Sequence, residues 1–297
     1  MRVTNKLIVG NIISNISRNQ ERLDRAQTTV STGKIVNKPS DDPVAMANIL
    51  HYRKTISDID QYTNNIAQAK THIQLCESTL AAINDLLVDA RRLASYENPG
   101  TSDERASLAE QVKHMYDNIM QLANTRSDKG YIFSGHDTDS APFSRDESYN
   151  ATYHGNDGDI RIIVGAGVDV EINVTGEDAL GGDVDVFGIL KDLIDAFENP
   201  DPEAGLSRIT AQIVPLTDAI DQIHKVTTTV GSTLARLDTT ENQLAAFRLN
   251  VENMLTGAED ADIATAILEL QAQEIAYETC LASAATALQS SLIDFLR

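Results

Sequence analysis

The sequence predicts a mainly α fold with a β insert: a long antiparallel helical coiled-coil or bundle rod formed by both chain ends, plus a small central β-rich domain. Three observations predict it. Apolar residues recur at alternating steps of three and four through both ends, the 3.5-residue period of a coiled coil. Residues 130–182 hold nine of the sixteen glycines and change to period-two alternation, which is strand patterning. Aromatics make up 5% of the 297 residues and Trp is absent; helix pairs pack with Leu, Ile, Val and Ala, whereas one continuous core of this length ordinarily carries more ring bulk.

The first helix, about residues 4–31, carries the seam Val9, Ile12, Ile16, Asn19, Leu23, Ala26 and Val30 and stops at Gly33. The loop KPSDDPVAMA at residues 38–47 follows. Its two prolines forbid continuing helix, Ser40, Asp41 or Asp42 can cap the next one, and Pro43 suits a first turn. A second helix then runs to about Ser95 on Ile49, Tyr52, Ile56, Ile59, Tyr62, Ile66, Ala69, Ile73, Cys76, Leu80, Ile83 and Leu87. Asn98, Pro99 and Gly100 turn the chain, and Thr101 with Glu104 reads as a capping box. The third helix returns antiparallel on Leu108, Val112, Met115, Ile119 and Leu122, ending near Asp128.

Strand code follows at Ile160, Ile162, Val164 and at Val168, Val170, Ile172, Val174, with Gly165, Ala166 and Gly167 as the hairpin turn. Residues 131–186 hold twelve acidic and two basic residues, so this part is expected to face solvent. Helical code resumes at residues 186–198, and Asn199, Pro200, Asp201 and Pro202 read as an exit linker. A seam at steps of three and four runs from Leu206 to Leu255, with Pro215 marking a kink or a helix start. Thr256 and Gly257 break it, and Asp260 or Asp262 caps a terminal helix with the seam Ile263, Ile267, Leu270, Glu274, Tyr277, Leu281, Ala284, Leu288 and Phe295.

Residues 1–40 hold seven Lys or Arg against two Asp or Glu, and residues 258–297 hold one against seven. Exposed ion pairs contribute little individually, so ends of +5 and −6 set orientation and register more than stability. The two termini are expected to pack on each other and on copies of themselves, the alternative being two ordinary amphipathic helices on one globular core. The expected domains are 1–40 with 258–297, a terminal helical coiled coil; 41–130 with 203–257, a long-helix bundle; and 131–202, a β-rich outer domain with a short helix.

A net charge of −20 argues against nucleic acid and against an anionic membrane surface, both of which need clustered Lys and Arg. Residues 2–14 do not read as a secretory signal, because Asn5, Lys6, Gly10 and Asn11 interrupt the apolar run. Cys76 and Cys280 define no disulfide framework. His72 and Cys76 are one helical turn apart but lack further ligands nearby. The run Asn156, Asp157, Gly158, Asp159 is a single copy of what calcium turns repeat. No catalytic residue, cofactor or metal site is expected, and the chain reads as no enzyme.

Five stretches in order, RVTNKLI at the start, KPSDDPVAMA, GYIFSG at residues 130–135, YHGNDGDIRIIV at 153–164 with VTG at 174–176, and SSLIDFLR at the end, resemble the flagellin-like family, to which the hook-associated proteins belong. The likeness covers nearly the whole chain. It implies a structural axial protein of the flagellum that joins the hook to the flagellin filament, or alternatively a short flagellin forming the filament itself. A third reading, from another class and ranked below these two, is a cytosolic coiled-coil adaptor that never leaves the cell. The resemblance further implies export, without a cleaved signal peptide, through the flagellar type III channel, and an extracellular place at the junction of hook and filament. The partners it implies are further copies in a ring, the first hook-associated protein, flagellin and a flagellar export chaperone. The seams assign the assembly contacts to Val9, Ile12, Ile16, Leu23, Val30, Ile263, Ile267, Leu270, Tyr277, Leu281, Leu288 and Phe295.

Overall fold

The computed structural model describes the backbone of residues 2–95 and 102–295 and the side chains of residues 7, 9–95 and 103–286. Seven α-helices appear among the described residues: α1 (Arg2–Thr32), α2 (Pro43–Ala94), α3 (Ser102–Ala123), α4 (Val186–Phe197), α5 (Pro202–Ala211), α6 (Ile213–Glu259) and α7 (Ile263–Phe295). Six short strands lie between α3 and α4: β1 (Arg126–Ser127), β2 (Gly130–Tyr131), β3 (Phe143–Arg145), β4 (Ala151–Tyr153), β5 (Arg161–Gly165) and β6 (Val168–Glu171). They pair as three separate antiparallel ladders, β1 with β2, β3 with β4 and β5 with β6. The mainly helical fold with a small central β region is the one the sequence predicts. The expected turn at residues 98–100 and Thr101, the cap expected for α3, lie outside the described residues.

The chain divides into two compact units, residues 1–58 with 246–297, and residues 59–245. The second unit holds the large core. Along α2, Ile66, Ala69, Ile73, Cys76, Leu80, Ile83, Leu87, Ala90 and Ala94 are all buried, an unbroken run of three- and four-residue steps that lays one apolar edge along the helix. From α6, Leu216, Ile220, Ile223, Val230 and Leu237 join the same core. Lys70 of α2 bridges Asp238 at 2.6 Å and Glu241 at 2.9 Å.

Helix α3 is rotated from the expected face: Ala109, Val112, Tyr116, Ile119 and Ala123 are buried, while Leu108, Met115 and Leu122 are half-buried at its margin. The reason is Tyr116. Its ring meets Tyr149 and Phe187 edge-on, both at 5.2 Å between centroids, and its hydroxyl donates to the Tyr149 carbonyl at 3.0 Å. The helix also stops at Ala123 rather than near Asp128.

The β region is fastened by the stretches that stand out in the sequence. The Phe133 carbonyl accepts the Gly176 N–H at 2.8 Å and the Tyr153 hydroxyl at 3.0 Å. The Asn156 side-chain oxygen accepts from the His136 N–H at 2.8 Å and the Gly158 N–H at 3.1 Å. Residues 130–135, 153–164 and 174–176 therefore form one knot of hydrogen bonds. The hairpin expected at residues 160–174 is present, but β6 ends at Glu171. Beyond it, the Asn173 side chain takes over, accepting from the Ile160 N–H at 2.6 Å and donating to the Gly158 carbonyl at 2.9 Å.

Residues 199–201 of the expected linker connect α4 to α5, and Pro202 opens α5. Asp201 accepts from the Glu203 and Ala204 N–H groups, with Pro202 in the first turn, so turn-forming residues here serve as helix-initiating ones. Gln212 separates α5 from α6, and Pro215 sits near the start of α6, where its missing N–H does no harm.

In the first unit, α1 packs along α7. Asp42 caps α2, accepting from the Val44 and Ala45 N–H groups at 2.9 Å, and Asp41 accepts from the Asn37 and Lys38 N–H groups. The break expected at Thr256 and Gly257 does not occur: α6 continues to Glu259, because one helix-interior glycine costs only about 1 kcal/mol. Asp262 then caps α7, accepting from the Ala264 N–H at 3.1 Å and the Thr265 hydroxyl at 2.8 Å.

Candidate assembly surface

The α1 seam residues Val9, Ile12, Ile16, Leu23 and Val30 are each half-buried, as are Asn19 and Ala26, and none is fully buried. The α1-facing stripe of α7 is Ala266, Leu270, Gln273, Tyr277, Cys280 and Ala284, at steps of four and three. Arg22 and Arg25 of α1 line one groove with Glu269 and Gln273 of α7, so two cations of one end share a groove with one carboxylate of the other.

Of the terminal seam read from the sequence, Leu270, Tyr277 and Ala284 lie on that stripe. Ile263, Ile267 and Leu281 flank it and stay exposed, at 43%, 41% and 42%. Leu268 and Ile275, exposed at 67% and 65%, fall on the far side at about 100° per residue. The Leu288 and Phe295 side chains lie outside the described residues. Helix α7 is thus apolar on several sides, and α1 covers one of them. A helix that is apolar around its circumference belongs in the interior of something larger.

The same imbalance holds across the unit. Among the described residues, thirteen of the eighteen exposed large apolar side chains belong to the first unit, although it is the smaller one. Leu50 of α2 and Phe247, Leu249 and Met254 of α6 are among them. The contiguous apolar core, by contrast, lies wholly between residues 66 and 237.

The two junctions of this unit are clasped. Ile35 donates to the Glu259 carbonyl and Ala261 to the Gly33 carbonyl, both at 2.8 Å. The Glu259 side chain is 5% exposed and takes ion pairs from Lys34 and Arg53. Burial pushes its carboxyl up, but the hydrogen bonds from Lys34 and Arg53 outweigh burial and hold it below the usual glutamate range. No sequence signal marked Glu259; a Lys, an Arg and a Glu far apart in the chain carry no period.

Elsewhere, potentially reactive groups serve packing. Cys76 is buried, and burial pushes its thiol up to about 12, so it stays protonated and inert. Asn156 holds the Gly135 turn through its side chain, a structural task for the run that resembles a calcium turn. Among the described residues no group of three or more His, Cys, Asp or Glu converges as a metal site, and no helix is long and apolar enough to cross a membrane.

Residues 4–138 match the bacterial flagellin N-terminal helical region and residues 213–296 the bacterial flagellin C-terminal helical region. Flagellar hook-associated protein 3 of Escherichia coli (strain K12) is 25% identical over 305 aligned residues, covering 94% of this chain and 95% of that protein. Flagellin of Bacillus subtilis (strain 168) is 24% identical over 304, covering 97% of each. A solved Vibrio parahaemolyticus structure, described as a flagellar hook-associated protein, superposes with a TM-score of 0.68 at 26% identity over 74% of this chain and all of that one. The paired terminal helices and the β region between them are accordingly those of a flagellin-type chain, and the protein belongs to the bacterial flagellin family.

Proposed function

We propose that this chain is a structural axial protein of the bacterial flagellum, joining the hook, through the first hook-associated protein, to the flagellin filament. The observation that carries the reading is the concentration of exposed apolar side chains in the terminal unit, on helices that one chain alone half covers. Such surface asks for neighbours. Further copies in a ring supply them, with Val9, Ile12, Ile16, Leu23, Val30, Ile263, Ile267, Leu270, Tyr277, Leu281, Leu288 and Phe295 as the assembly contacts. The chain works by packing and not by catalysis.

The end-to-end alignment with hook-associated protein 3 of Escherichia coli supports the junction role. In functional terms the chain divides into a terminal coiled coil (1–40 with 258–297), a long-helix bundle (41–130 with 203–257) and an outer β-rich part (131–202). Terminal helices that are marginal alone are easily held unfolded, which suits type III export with a chaperone and without a cleaved signal peptide, to an extracellular place on the flagellum. The full-length match to a Bacillus subtilis flagellin favours a second reading, a short flagellin forming the filament itself.

Deleting the gene separates the two. Loss of the junction leaves hooks and flagellin shed into the medium; loss of a sole flagellin leaves none to shed. Normal filaments on the deletion strain overturn both. Ile16→Asp and Leu281→Asp each place a charge on an assembly stripe, and electron microscopy of complemented cells is expected to show bare hooks. A normal motile flagellum with either change removes that stripe from the interface.

A further inference from the structure

In the unit of residues 59–245, α2 and the β1–β2 hairpin enclose a groove of about 610 Å³, lined among others by Gln68, His72, Gln74, Arg126, Asp128 and Lys129. Lys129 donates to the Gln68 side-chain oxygen at 2.8 Å, and the Arg126 guanidinium stands 5.7 Å from the Tyr131 ring centre. Neither cation has a carboxylate partner among the described residues, a state they share with Lys191, Arg208, Lys225 and Arg236 of the same unit; what sets them apart is that both line one groove. The His72 Nε2 is buried with no hydrogen-bond partner, and burial, then Lys129, hold its pKa down. His72 is therefore neutral near pH 7, and the groove carries two positive charges against the one of Asp128. In a chain of net −20 this local excess is out of character.

A second groove of about 570 Å³ lies on another part of the same unit, where the turn Glu177–Gly181 and the residues after it meet α6. Asp178, Asp183, Asp218 and Asp221 line it, all exposed, with Lys225 as the cation in its wall. Four negative charges stand against one positive. None of the four carboxylates is ion-paired among the described residues; Asp178 is held by the Thr175 hydroxyl at 2.7 Å.

We infer that neighbouring copies of this chain dock through these two faces, the groove of Arg126 and Lys129 on one copy receiving the carboxylates of Asp178, Asp183, Asp218 and Asp221 on the next. The inference rests on the multi-copy assembly proposed above. The two faces share no residue, so their contact is heterologous: each copy offers one face and uses the other, and repetition gives a closed ring or a helix rather than a dimer. Complementary charge at such a contact fixes register and excludes wrong partners.

Charge reversal with rescue tests it in a deletion strain complemented with the full chain. Arg126→Glu with Lys129→Glu, or Asp218→Lys with Asp221→Lys, is expected to cut filament-bearing cells roughly tenfold, and cells co-expressing the two chains are expected to regain filaments, because each supplies the face the other needs. Unchanged filaments with either reversal, or no regain on co-expression when both purified variants melt like the parent, overturns the inference. Where a reversal impairs folding, Gln74→Cys with Asp221→Cys in a Cys280→Ser background gives a second measurement. Oxidation of intact flagella is expected to yield a ladder of linked copies, and monomer alone overturns the docking. A deletion strain with normal filaments counts instead against the junction role.

Discussion

Glu259 shows how a single buried carboxylate can hold two chain junctions. Its ion pairs to Lys34 and Arg53 close over a backbone bridge between residues 33–35 and 259–261. Because its folded pKa lies below the unfolded one, the stabilisation is present above the usual glutamate value of about 4.3 and is lost as pH falls through the lower folded value. Glu259→Gln strands Lys34 and Arg53, both themselves partly exposed, so the expected loss at pH 7 is about 1 to 3 kcal/mol. Urea titration read by circular dichroism checks it: the difference between variant and parent is expected to shrink in acid, and a pH-independent difference rejects the ion pair as its cause. Cys76 makes the opposite case, a reactive group used as a small apolar one. Cys76→Ser is expected to lower stability by about 1 to 2 kcal/mol while leaving motility intact, and alkylation of Cys76 is expected only after denaturation. Rapid labelling of the native protein at Cys76 rejects the burial assigned to it.

At the scale of elements, the β region depends on a few backbone positions rather than on sheet area, since its ladders are each two-stranded. Gly135 has φ +67°, and a Cβ there would lie 2.0 Å from the Asn156 carbonyl oxygen; Gly167 has φ +72° with nothing within 4 Å. Gly167→Ala therefore meets the left-handed backbone penalty alone, about 1 to 2 kcal/mol, while Gly135→Ala also pries apart the knot and is expected to lose about 3 kcal/mol or more. Equal losses in chemical denaturation contradict the knot. The two sites also show what was legible beforehand. The hairpin around Gly167 is a local pattern legible in the sequence, though its second strand ends at Glu171, whereas the joining of residues 130–135 to 153–164 and 174–176 runs through Asn156, Asn173 and Tyr153, polar contacts with no period. The same contrast governs the helices. Buried positions from Ile66 to Leu87 on α2 were legible because period projects directly onto packing, and the Asp42 and Asp262 caps because capping is local. The face of α3 is not legible in the same way, since Ala109 and Ala123, both buried, count for little beside Leu108 and Leu122 in an apolar tally. On α7, apolar residues stand on nearly every side, so spacing alone left open which stripe meets α1.

Across the whole chain, stability and interaction surface are separated. Residues 66–237 contain the contiguous core with its aromatic cluster of Tyr116, Phe143, Tyr149, Tyr153 and Phe187. The first unit has few fully buried apolar residues among those described, chiefly Val36, Ile49, Val251, Ala266 and Ala284. Local stability follows buried apolar contact, so the two units are expected to open at different free energies. Heating the purified monomer should remove helical circular dichroism in two steps, the first from the terminal unit. Limited proteolysis below the first step should trim roughly forty residues from each end and spare the middle. In assembled flagella the first step should move upward, since binding the folded state alone stabilises it by mass action. A single cooperative transition in dilute monomer, with protease-resistant ends, would mean that the α1–α7 pair suffices by itself. That outcome would favour the cytosolic adaptor over the axial protein, because ends already satisfied have no free energy left to give to a neighbouring copy.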